Sequence, residues 1–222
     1  RAMKPEPGEI ARIRVTSGIG AHIVSVRSGA RTLPYFRLVT RFTPSAPTRL
    51  PFVPRDLYPL DRHDELFGAR GRVHAVQRGL NTGLLYFQLD DPAAGSFFYF
   101  QNLTALNDYC RATGTKPEDV VGGEWPELGF LLPTPDQGPG TEPLAAGKEI
   151  ILSDAILLCR PDGPSDERDC ARHFLQMLGG AYQHLDLPPP RGNADSHCMP
   201  STMRPTTAIL RSRCRGAWPI TV

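Results

Sequence analysis

GLLYFQLDDPAAGSFFYFQNL, residues 83–103, is the stretch on which the architecture turns. Two aromatic-rich runs, Leu84–Leu89 and Ser96–Gln101, flank Asp90, Asp91, Pro92, Ala93, Ala94 and Gly95. Large and aromatic side chains suit a pleated surface, and an Asp-Pro link ending in glycine is turn chemistry. An antiparallel hairpin is expected. Phe97, Phe98, Tyr99 and Phe100 are all large, so both faces of this hairpin are expected to be covered, as in the central pair of a sandwich.

Strand-like alternation continues upstream. EIARIRVTS sets Ile10, Arg12 and Arg14 against Ala11, Ile13 and Val15, and AHIVSVRSG and YFRLVTRFT repeat the pattern. The following PSAPTRLPFVPRDLYPLDRHDELFG carries five prolines in 25 residues, which marks a long excursion because proline lacks the ladder donor. Downstream, KEIILSDAILLCRP is a strong strand candidate. Two helices are expected. In NLTALNDYCRATG, Asn102 can cap the start and Gly114 can close the end. Over residues 166–185, Ser165 is the expected cap, Asp166 and Glu167 suit the first turn, and Phe174, Met177, Leu178, Ala181, Tyr182 and Leu185 form one apolar stripe. The reading is mainly β: an antiparallel β-sandwich with one short and one longer amphipathic helix.

The chain has 222 residues with 23 prolines and 21 glycines, which favours short elements joined by turns. It divides on charge. Residues 1–190 hold 20 basic and 22 acidic residues, whereas 191–222 hold five arginines and one acid. Residues 1–187 are therefore read as the β domain with a C-terminal bridging helix, and 188–222 as an irregular basic tail. A disordered tail, a frame-shifted continuation and a functional basic arm stay open for that tail. The net charge of +2, with no basic patch standing out in 1–190, points away from nucleic acid. No apolar run reaches the roughly 18 residues of a membrane span. RAMKPEPGEI shows no hydrophobic signal region, and the five cysteines make no CxxC pair, so a cytoplasmic protein with reduced thiols is expected. No metal or cofactor is expected either: the six histidines are scattered without HExxH spacing, and no nucleophile elbow occurs.

Two stretches are candidate ligand contacts. In VGGEWPELGF, residues 121–130, Glu124 and Glu127 flank Trp125-Pro126. Glycosidases place two carboxylates roughly 5–10 Å apart, and an extended Trp125 could stack on a pyranose. Such carboxylates normally come from separate elements, so an ordered corner with Trp125 plugging the core edge is the stronger expectation. In RGLNTGLLYF, Arg78 precedes Gly79 and Asn81 lies between Gly79 and Gly83, where a turn is the stronger expectation. No residue is assigned a catalytic role.

The runs VQRGLNTGLLYFQLDDP, FFYFQNLTALNDYCRATGTKP, VGGEWPELGFLLP and LSDAILL together resemble a family of poorly characterised bacterial proteins. In that family a β-rich N-terminal domain precedes an α-helical toroid, a layout similar to α/α-barrel glycoside hydrolases. The resemblance implies a non-catalytic β-sandwich module of a carbohydrate-active protein, with an oligosaccharide and a missing α-helical domain as partners. Two alternatives stand beside it: a glycan-processing enzyme using Glu124 and Glu127, and a structural or interaction protein with no sugar ligand.

Overall fold

The computed structural model describes residues 1–185 except 31, 51–52, 54, 78–82, 116–120 and 134–141, and for Val121 and Gly123 the backbone alone. Arg1–Leu185 form one compact unit. The candidate residues Arg78 and Asn81 and the tail 188–222 lie outside the described residues.

The chain is mainly β. Among the described residues nine strands form: β1 (Glu9–Ser17), β2 (Gly20–Ala30), β3 (Pro34–Pro44), β4 (Arg70–Gln77), β5 (Gly83–Asp91), β6 (Gly95–Gln101), β7 (Val121–Glu124), β8 (Glu127–Phe130) and β9 (Ile150–Arg160). Seven make one antiparallel sheet in the order β1-β2-β3-β9-β6-β5-β4, and β7-β8 pair as a separate hairpin. Two three-stranded meanders are thus joined by β9, the last strand among the described residues, paired to β3 on one side and β6 on the other. Its buried run of Leu152, Ser153, Asp154, Ala155 and Ile156 fits a strand covered on both faces.

The predicted hairpin is β5-β6, with strand extending through Asp91 and a link of Pro92–Ala94. Alternation sends its residues to two cores. Leu84, Tyr86 and Phe98, with Ile156 and Leu158 of β9, face helix α2 (Glu167–Tyr182), where Met177 and Ala181 meet them. Leu85, Phe87 and Tyr99 face the opposite layer, built from β7-β8, part of the proline-rich excursion, and a 3-10 turn (Leu103–Leu106) running into α1 (Asn107–Thr113). Both faces are covered, as expected.

Local details differ from expectation for physical reasons. Strand β4, which the sequence reading did not mark, has its alternation broken by a register slip between Val73 and Ala75. Asn102 makes no side-chain cap bond; its Nδ2 donates instead to Asp154 Oδ2 at 3.1 Å. Asp166, not Ser165, caps α2 by accepting from the Asp169 backbone N–H at 2.8 Å. Tyr182 leaves the apolar stripe and is exposed, while His173 is buried in it. Gly180 lets the helix approach the sheet: a Cβ there would stand 2.7 Å from Leu158 Cδ2.

Candidate functional site

The hairpin β7-β8 is closed by Trp125-Pro126, and Glu124 and Glu127 are directly paired across it. Both glutamates are exposed, on one turn and at one rim. That geometry sets two carboxylates side by side in water. It does not set them on opposite sides of a bound sugar. Trp125 turns inwards. Its indole Nε1–H donates to the Ala69 carbonyl at 3.1 Å, and its ring centroid lies 6.4 Å from that of Phe87. The ring also covers Gly71, where a Cβ would come within 2.5 Å of the ring edge. The tryptophan fastens the hairpin to β4 and β5.

The glycines of the same stretch have a partner that sequence reading missed. Arg55 lies against Gly122 and donates from Nη1 to the Gly129 carbonyl at 3.1 Å. Gly129 has a positive φ of 84°, which a side chain rarely adopts, and a Cβ there would meet the Asp56 carboxylate at 2.4 Å. Leu57 bridges to Leu128. Arg55, Asp56 and Leu57 of the excursion therefore lock into slots left by glycine.

Asp56 is the centre of this clasp. The residue as a whole stays exposed, but its carboxyl turns into the protein. Oδ1 accepts the Phe130 backbone N–H at 2.8 Å, and Oδ2 accepts the Tyr99 hydroxyl at 2.7 Å and the Ser153 hydroxyl at 3.1 Å. One side chain thus ties the excursion to β8, β6 and β9. Burial pushes the Asp56 carboxyl up, against the pull of these three donors. Burial and the neighbouring Asp56 hold the Tyr99 phenol well above its ordinary range, so it remains a donor.

Gln101, fully buried, completes the junction. Its Oε1 lies 2.8 Å from the Tyr99 hydroxyl and 3.3 Å from that of Ser153, while its Nε2 has no hydrogen-bond partner among the described residues. Each hydroxyl carries a single proton and faces two acceptors. Turning the amide end for end would let Nε2 donate to both hydroxyls and both hydroxyls donate to Asp56, so the proton count favours that orientation.

The sequence signal for this junction was one of three aspartates in a proline-rich loop, 74 residues before Phe130. Nothing local distinguishes Asp56 from the acids around it. Among the described residues no group of three or more His, Cys, Asp or Glu could hold a metal ion, and no helix is long and apolar enough to cross a membrane. Cys110, Cys159 and Cys170 are free thiols. Burial pushes all three up, which keeps them protonated and poorly nucleophilic.

The fold and the clasp define a class of molecule: a mainly β body in which buried polar groups fasten a loop and a hairpin over one sheet face. Compared with known protein families, with curated protein sequences and with solved structures, the chain matches none.

Proposed function

We propose that this chain is a non-catalytic β module that works by docking, set beside an α-helical domain in a carbohydrate-active protein. The observation that supports docking is an open apolar sheet face. The register of β1, β2 and β3 places Ala11, Ile13 and Val15 beside Val26, Val24 and His22, and these beside Leu38, Thr40 and Phe42. No residue in that array carries a full charge at neutral pH. Ile13 is 44% exposed and Val15 51%. From the fully buried Phe42 onward the same face is covered by the clasp; towards β1 it is not, and an uncovered apolar edge of this kind fits a partner. The carbohydrate assignment rests on the family resemblance; with Trp125 turned inwards, the exposed Glu124 and Glu127 are what the turn offers a ligand.

The alternative reading, an interaction protein with no sugar ligand, has support of its own. Trp125 spends its N–H internally, and α2 carries Leu175 and Tyr182 exposed at 65% and 59%.

Calorimetric titration against a panel of neutral and acidic oligosaccharides, run beside a reducing-sugar assay, tests the proposal. Binding without turnover is expected. Turnover abolished by Glu124→Gln and Glu127→Gln would make the chain an enzyme. Failure to bind any glycan class would leave the interaction reading in its place.

A further inference from the structure

The other face of β1-β2-β3, on the side where α2 packs, has the opposite character. Direct pairing aligns Arg12 with Ser25 and Val39, Arg14 with Ile23 and Arg41, and Arg27 with Arg37. Residues paired directly across strands share a face, so five arginines from three strands surround a floor of Ser25, Ile23 and Val39. Arg41 Nη1 lies 3.5 Å from Ser25 Oγ, within that array. Arg14 and Arg41 flank Ile23 from either side, two strand spacings or about 9.6 Å apart.

This concentration disappears in the whole-chain charge. Residues 1–50 hold nine basic residues and two acids, and acids elsewhere offset them in the total. Folding gathers part of that excess on one surface. Four acids stand among the five arginines: Glu6 and Glu9 reach Arg12, Glu9 is also paired opposite Arg27, Asp154 holds Arg37, and Glu149 stands 3.6 Å from Arg41. Arg14 and Arg27 are exposed. Arg12 Nε is buried with no hydrogen-bond partner among the described residues. Arg27 directly opposite Arg37 is a like-charge pair, an arrangement that an anion would relieve.

We infer that the arginine-lined face of β1-β2-β3 binds an acidic polysaccharide, a chain of carboxylated or sulfated sugars, which rests on the carbohydrate reading above and specifies its ligand class. Guanidinium groups match planar carboxylates and sulfates through paired N–H donors. Three adjacent strands present these side chains as one surface, which suits a ribbon-like sugar chain. Unpaired nucleic acid needs aromatic stacking platforms, and the ring bordering this surface, Tyr35, is already stacked on His184 with centroids 3.9 Å apart.

The test titrates the full chain with polygalacturonate, heparin, a neutral glucan and single-stranded DNA across a range of salt. The double variant Arg14→Glu/Arg27→Glu is compared with Arg111→Glu, a control on α1. An acidic glycan is expected to bind at low salt and to weaken as salt rises. The double variant is expected to lose at least about tenfold in affinity, and the control to change little. Urea midpoints check that both variants fold. Unchanged affinity in the double variant would overturn the inference and place the binding elsewhere, the arginines of 191–222 included. DNA binding as tight as the acidic glycans would overturn the ligand class. Neutral glucan binding that ignores the arginines would leave the carbohydrate module standing while removing this surface from it.

Discussion

Replacing Arg37 with methionine tests whether the junction of β3 with β9 depends on a satisfied buried charge. Arg37 donates from Nε to Asp154 Oδ1 and from Nη2 to Oδ2, both at 2.8 Å. The Asp154 side chain is 4% exposed and that of Arg37 19%. Without the guanidinium, the carboxylate keeps the Asn102 amide at 3.1 Å and little water. Removing one partner of such a pair costs about 3–5 kcal/mol, and the partial exposure of Arg37 places the expectation near 3. For a folded unit of this size that lowers the unfolding temperature by about 6–12 °C. Asp154→Leu alone strands a cation that can swing towards water, at about 1–2 kcal/mol. The double variant, with neither charge, should lie within about 1 kcal/mol of the parent, because apolar replacement of a whole buried pair is nearly neutral. Urea denaturation of the four proteins closes the cycle. If Arg37→Met costs less than about 1 kcal/mol, or if the double variant loses the sum of the two singles, the argument from buried charge is wrong.

Three further expectations follow from described contacts. Gly179 faces open space, so Gly179→Ala should stabilise α2 by about 0.5–1 kcal/mol, whereas Gly180→Ala, forced against Leu158, should lose about 1 kcal/mol net in the same urea assay. Trp125→Ala should cost about 2–3 kcal/mol of stability through lost packing on Phe87 and Gly71; unchanged stability would return the ring to the role of an exposed platform. Burial pushes the Tyr109 phenol from near 10 up to about 12. The folded state therefore holds this proton more tightly than the unfolded chain. Its contribution to stability is complete below about pH 10 and declines as pH rises towards 12, which urea midpoints measured beside tyrosinate absorbance should show.

Much of the fold was legible because its signals are local. The aromatic runs around Asp90–Gly95, the alternation of residues 9–44 and the density of Ile150–Leu158 each declare a strand within a few residues. The Asn102 cap was misread because tertiary structure gave its amide a better partner in Asp154. The α2 cap moved by one residue because Ser165 and Asp166 are both competent and only geometry chooses. The 121–130 stretch was legible as a corner pinned by tryptophan, but not as half of a clasp. Its glycines are empty slots, and what fills them, Arg55 and Asp56, comes from a segment with no periodicity. The arginine face was hidden for a similar reason. Averaging charge over 190 residues cancels what strand pairing brings together.

The place of β9 has a consequence for how the molecule is made. When residues 1–130 have left the ribosome, β1-β3 and β4-β6 can each form as a meander, but the edges of β3 and β6 stay open until residues 150–160 arrive. Until then the nascent chain displays two unpaired, aromatic-rich borders able to join each other wrongly or recruit a neighbouring chain. Synthesis stalled anywhere before Ile150 should release an aggregation-prone intermediate, and slow closure by this late strand is the step at which a chaperone would have most to do.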